Sequence, residues 1–145
     1  MTTATKLLTR IIMIGCCKGG VTETTTTVNL SYELSQFGRK VLVQGFEVQG
    51  DTTKFFGRED SEFYIEDALL DRKFDITTVI YPVIINGEEQ TNLHIISGCR
   101  GDVMTKLGMD MISLTRREER LKQHQDKVKD QYDYILIDTN ALCWQ

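Results

Sequence analysis

Apolar and polar positions along this chain fall into short runs that switch between a strand-like and a helix-like period. Arg10–Gly15 (RIIMIG) contains the unbroken apolar run Ile11–Ile14, as expected of a strand covered on both faces. Thr24–Gln36 reads as a helix with apolar residues at Val28, Leu30, Tyr32 and Leu34, and Gly38 is its stop signal. Lys40–Phe46 (KVLVQGF) reads as a second strand, followed by a loop over Glu47–Thr53. Ser61-Glu62 opens a short helix covering Tyr64–Leu70. Asp75–Ile85, interrupted by Pro82, fits either a strand or a short helix, and Leu93–Ile96 (LHII) reads as a third strand. Ser113–Gln131 predicts a charged helix whose buried stripe is Leu114, Leu121 and Val128. Tyr134–Asp138 (YILID) is a strand that ends in a carboxylate. This alternation predicts an α/β fold, a mainly parallel sheet flanked by helices.

Bulk composition narrows the class. A chain of 145 residues is expected to form one domain over 1–145, large enough for a normal core. A net charge of −4 argues against a partner bound chiefly by electrostatics, such as nucleic acid. No apolar run approaches the roughly 20 residues of a membrane span. Leu7–Gly15 is short, interrupted by Arg10 and without a small-residue cleavage site, so no membrane partner and a cytoplasmic location are expected. Cys16, Cys17, Cys99 and Cys143 show no zinc-site spacing and read as free thiols. His94 and His124 are isolated, with a core role expected for the first and a surface role for the second. Arg116, Arg117, Arg120 and Lys122 alternate with Glu118 and Glu119, the pattern of a solvated helix face.

Candidate chemistry gathers at strand ends, where ligands sit in open parallel sheets. Lys18–Thr25 (KGGVTETT) lies between the first strand and the first helix, and a Gly-rich turn there aims backbone N–H groups at an anion. A phosphate-binding loop of the usual kind ends Gly-Lys-[Ser/Thr], the lysine on the phosphates and the hydroxyl on Mg²⁺. Thr24 supplies that hydroxyl, and Asp138 closes its strand as a metal-binding carboxylate would. Where Gly-Lys belongs, the chain has Thr22 and Glu23.

With these residues in view, the chain resembles the ParA/Soj/MinD-type deviant Walker A ATPases, and most of all the ParA-type partition ATPases. Their loop K-G-G-x-G-K-[ST]-T, followed by V-N-L and a later leucine, lies over Lys18–Thr25, Val28-Asn29-Leu30 and Leu34. Their motif V-L-L-I-D-x-D-P-Q-G-(N/D)-x-T lies over Val41–Thr53 (VLVQGFEVQGDTT), and Y-D-Y-I-(L/I)-I-D matches Tyr132–Asp138. Ile65–Leu70 (IEDALL) also reads like their second helix. The resemblance implies ATP and Mg²⁺ as cofactors. It implies Lys18 as the signature lysine, which reaches a partner subunit's phosphates, and Gly19, Gly20 and Val21 as the cradle. Thr22, Glu23, Thr24 and Thr25 complete the loop, Thr24 and Asp138 serve the metal, and Glu47 takes the place of the aspartate that polarises water. Self-association or pairing with an intact homologue, a centromere-binding adaptor and nonspecific DNA are the partners the resemblance implies.

The departures cluster at the nucleotide. The family's Asn-Gln before the signature lysine is Cys16-Cys17, and its D-x-D-P is Gly45-Phe46-Glu47-Val48. Glu23 matters most. Opposite unit charges roughly 4 Å apart attract by about 4 kcal/mol at an effective dielectric of about 20, so turning attraction into repulsion swings binding by about 8 kcal/mol per phosphate charge at the upper end. That corresponds to five to six decades in affinity, at about 1.4 kcal/mol each. Members of the resembling family are longer, and in their fold a later strand flanks Arg10–Gly15, which is therefore expected at a sheet edge here. Two functions are carried forward: a partition-type ATPase with impaired nucleotide chemistry, and a nucleotide-independent binding module.

Overall fold

The computed structural model describes residues 8–15, 21–46, 51–71, 73–98 and 117–139. Their strands are β1 (Arg10–Ile14), β2 (Val41–Phe46), β3 (Ile80–Ile85), β4 (Glu88–Ile96) and β5 (Tyr134–Thr139). Their α-helices are α1 (Val21–Gln36), α2 (Asp51–Phe55), α3 (Ile65–Leu70) and α4 (Arg117–Val128), with 3₁₀ turns at Ile76–Val79 and Lys129–Gln131. The strands form one sheet in the order β1-β5-β2-β4-β3. β1, β5, β2 and β4 run parallel, and only β3 is antiparallel, against β4. The mainly parallel α/β architecture follows from the apolar runs: a parallel strand is covered by helices on both faces, so alternation gives way to continuous hydrophobicity.

Two cores flank the sheet. On one face Val41, Val43, Leu93, Ile95 and Leu136 pack with Val28 of α1 and Phe56 after α2. On the other, Leu42, Ile96, Ile135 and Ile137 pack with Ile65 and Ala68 of α3 and Val128 of α4. Successive β2 residues thus serve opposite cores, as the pleat demands.

Several expectations shift in detail. α1 begins at Val21 and not at Thr24, and its buried face is Thr27, Val28, Ser31 and Ser35. Leu30 and Tyr32, expected as apolar contacts, are on the exposed side. Ser31 Oγ donates to Val28 O at 3.1 Å and Ser35 Oγ to Tyr32 O at 2.6 Å, so small hydroxyl residues sit against the sheet by bonding their own helix. α3 opens at Ile65, with the Tyr64 N–H donating to Asp67 Oδ2 at 2.9 Å, and Ser61-Glu62 lies outside it. Asp75–Ile85 resolves into both alternatives: Asp75 caps the 3₁₀ turn by accepting from the Thr77 N–H at 3.0 Å, and β3 follows. Asn86 (φ 52°) and Gly87 (φ 79°) then form the two-residue turn that pairs β3 with β4. Pro82 is accommodated because β3 is an edge strand with a register shift between Pro82 and Ile84.

α4 is described from Arg117 to Val128, and Val128 is buried as the stripe requires. Leu114 and the side chain of Leu121 lie outside the described residues, as do Cys16, Cys17, Cys99 and Cys143. His124 is buried, contrary to its expected surface role. It precedes Gln125, which is also buried and whose Nε2 donates to Gln44 Oε1 of β2 at 3.1 Å. His94 is half-buried, its Nδ1 2.8 Å from the Tyr132 hydroxyl.

Candidate functional site

Sheet register brings three strand ends level. Ile14 of β1 pairs with Asp138 of β5, and Asp138 pairs on its other side with Gly45 of β2. The ends of β1, β5 and β2 therefore lie side by side at the carboxyl edge of the sheet. This is the placement expected for a ligand site in a parallel sheet.

Asp138 is fully buried, and the Thr52 hydroxyl at the start of α2 donates to its Oδ2. The next residue, Thr53, accepts through Oγ1 from the Gly98 N–H at 2.9 Å, just beyond β4. The first turn of α2 is thus tied to the ends of β5 and β4 together. Gly45 leaves room for this: a Cβ there would lie 3.1 Å from Thr53 Oγ1.

Among the expected site residues, Val21, Thr22 and Glu23 occupy the first turn of α1, so Val21 belongs to the helix rather than to the loop before it. Their side chains lie outside the description, as do Lys18, Gly19, Gly20 and Glu47 entirely. Thr24 is half-buried and Thr25 exposed. Both line a cleft of about 520 Å³ between α1, with Val28 and Asn29, and α2, with Asp51, Lys54 and Phe55. Thr52 and Thr53 are the residues that sequence reasoning missed: at the end of a loop motif they carried no sign of facing two different strands.

Mg²⁺ takes hard oxygen donors, usually one or two carboxylates with water and phosphate completing the shell. A hydroxyl from Thr24 and the carboxylate of Asp138 fit that requirement, whereas among the described residues no group of three His, Cys, Asp or Glu gathers into a richer metal site. The phosphate is a different matter. A helix N-terminus attracts anions, and Glu23 brings one of its own into the first turn of α1.

A family model described as an AAA domain matches residues 9–142. Over 129 residues the chain is 35% identical to the sporulation initiation inhibitor protein Soj of Bacillus subtilis, a match covering 89% of this chain and 49% of that protein. Among solved structures, a plasmid partition protein from Borrelia burgdorferi is 29% identical with a TM-score of 0.71, over 91% of this chain and 56% of that one. The septum site-determining protein MinD of Pyrococcus horikoshii, solved in complex with Mg-ADP, is 28% identical with a TM-score of 0.69, over 90% of this chain and 49% of that one. The chain spans about half the length of the curated relatives it matches. A family model matching nearly the whole chain, together with this likeness to ParA-type proteins in sequence and fold, leaves one conclusion: the chain belongs to the AAA-domain family and resembles its ParA/Soj-type members.

Proposed function

We propose that this chain is a relative of ATP-dependent DNA partition proteins in which nucleotide binding and hydrolysis are impaired. The observation that carries the reading is the position of Glu23. It stands in the first turn of the helix that follows β1, and β1 ends level with Asp138. In the resembling loop that position holds the phosphate-binding lysine. The acidic residue suits the positive end of the helix and opposes the β- and γ-phosphates that the loop otherwise cradles. Thr22 adds to the effect by replacing the adjoining glycine.

Within this reading Lys18, Gly19, Gly20, Val21, Thr24 and Thr25 are the remnant of an ATP cradle. Thr24 and Asp138 are the Mg²⁺ ligands, and Glu47 is the group that orients water. A cytoplasmic location, an adaptor protein and DNA belong to the reading by family likeness alone. A nucleotide-independent role, through association with another copy or an intact homologue, is favoured by a separate observation: β1 has a neighbour on one side only among the described strands.

Calorimetry with ATP and Mg²⁺ tests the reading, on the unmodified chain and on a Thr22→Gly/Glu23→Lys variant. The expected outcome is no saturable binding by the unmodified chain and recovered binding by the variant. Micromolar binding by the unmodified chain would overturn the impairment. An inert variant would show that the remaining loop residues no longer make a site.

A further inference from the structure

We propose that Thr52 is a positioning residue for the Asp138 carboxylate and sets the orientation in which that carboxylate meets Mg²⁺. The proposal rests on Asp138 being the metal-binding carboxylate, the reading given above. The family motif leaves position 52 open, as the x before its final threonine, so the resemblance assigns it nothing.

The geometry does assign it something. Thr52 is fully buried, Asp138 is fully buried, and the Thr52 hydroxyl donates to Asp138 Oδ2. A carboxylate taken out of water requires donors, and one that is ionised makes a strong hydrogen bond with a hydroxyl. Threonine is suited to this because its branched Cβ restricts χ1, which fixes where the hydroxyl points. By holding Oδ2, Thr52 sets the plane of the carboxylate and with it the direction of Oδ1. Mg²⁺ demands near-ideal octahedral geometry, so carboxylate orientation weighs heavily in its affinity.

The donor itself is held. Thr53 accepts from the Gly98 N–H at 2.9 Å, which pins the same turn of α2 to the end of β4. Thr52 therefore reaches Asp138 from a segment anchored on the far side of β2, in the strand order β5-β2-β4.

The test uses Mn²⁺ with ADP as the probe, read by electron paramagnetic resonance. It is run in the unmodified chain and in the Thr22→Gly/Glu23→Lys background, with thermal melting measured alongside. Four substitutions separate the roles: Thr52→Val, which keeps the shape and removes the hydroxyl; Thr52→Ser, which keeps the hydroxyl; Thr53→Val; and Asp138→Asn. In the background that binds the probe, Thr52→Val is expected to weaken Mn²⁺ by about 10- to 100-fold, the usual effect of losing an outer-shell partner. Thr52→Ser is expected to restore most of that loss. Thr53→Val is expected to lower the melting temperature at least as far as Thr52→Val while weakening Mn²⁺ less than Thr52→Val does. Equal Mn²⁺ affinity in Thr52→Val and its parent, with Asp138→Asn still abolishing binding, would overturn the positioning role alone. Unchanged binding in Asp138→Asn would overturn the metal reading of Asp138 and this proposal with it.

Discussion

Gly45 stands where the resembling motif carries its first aspartate, and the neighbours of this glycine make the aspartate hard to restore. A Cβ at position 45 would lie 3.1 Å from Thr53 Oγ1 and 3.6 Å from the Gly98 nitrogen, the two atoms already joined by a hydrogen bond. Gly45→Ala is expected to destabilise the chain by about 1–3 kcal/mol, the usual range for overpacking, as measured by urea denaturation. Gly45→Asp is expected to cost more, because the new carboxylate would be the strand neighbour of buried Asp138. A neutral Gly45→Ala would show that Thr53 yields freely. His94 supplies a pH dependence at the same scale. Burial lowers its pKa from the ordinary 6.5, a bond with the Thr91 backbone opposes the shift, and Lys40 adds to it. Its partner Tyr132 is pushed up to about 12 by burial, so a neutral hydroxyl faces the ring across this range. Since the folded-state pKa lies below the unfolded one, the unfolded chain takes up the proton first. This contribution to stability is full above about pH 6.5, falls with acidification below it, and levels off once pH passes the folded pKa. Denaturation of the unmodified chain and of His94→Gln at pH 7.5 and 5.5 is expected to show a steeper loss in the former. Equal losses would remove His94 as the source.

Between elements, the polar contact joining β2 to α4 behaves differently from the apolar packing around it. Gln44 and Gln125 are both buried and bonded at 3.1 Å, in a core otherwise made by Leu42, Ile135, Ile137 and Val128. Removing one partner strands the other amide, at about 1–3 kcal/mol, while replacing both with apolar groups of similar size is nearly neutral. Gln44→Leu and Gln125→Leu are each expected to lower stability by that amount, and the double variant to recover most of it. Additive losses in the double-mutant cycle would overturn the coupling. The pair also marks where sequence reading stops. β2 and β5 were legible because a strand covered on both faces must be apolar without interruption, and Val41–Val43 and Ile135–Ile137 are; β1 shows the same run at Ile11–Ile14, but Ile11 and Met13 on one of its faces are exposed. The polar seam of α1 was not, since Thr27, Ser31 and Ser35 look like a solvent face until the closeness of the sheet is known. The β3–β4 hairpin had a local signal, Asn86-Gly87, whose positive φ angles are those of the favoured two-residue turn. The position of Asp138 near the end of its strand was legible, and the convergence of three strand ends could be anticipated from strand polarity. The Thr52–Asp138 contact could not: 86 positions separate the two residues, and only the register of β5 against β2 brings them together.

Across the whole molecule, the two edges of the sheet are finished differently. On one side the β3–β4 hairpin ends in an antiparallel strand that contains Pro82 and lies beside Arg58, whose Nε donates to Pro82 O at 2.8 Å. Proline and a charged neighbour are features that discourage further strand pairing. On the other side β1 pairs with β5 alone among the described strands, and Ile11 and Met13 remain 49% and 56% exposed. In parallel register Ile11 lies against Ile135 and Met13 against Ile137, both part of the core beneath α3 and α4. That apolar face therefore continues over β1 without a covering layer among the described residues. An uncovered apolar strand with free backbone donors and acceptors promotes association. The chain is expected to self-associate in a concentration-dependent way by sedimentation velocity, and Ile11→Lys or Met13→Lys to shift it toward monomer. Because both side chains already face solvent, stability is expected to change little, within about 0.5 kcal/mol. This separates an edge effect from a folding effect. If both lysine variants associate as strongly as their parent, the contact lies elsewhere, with exposed Phe37 and Phe55 the next apolar side chains to replace. If the shift toward monomer is accompanied by lost stability, then β1 is held by contacts beyond its pairing with β5, and the edge is better covered in solution than its exposure implies.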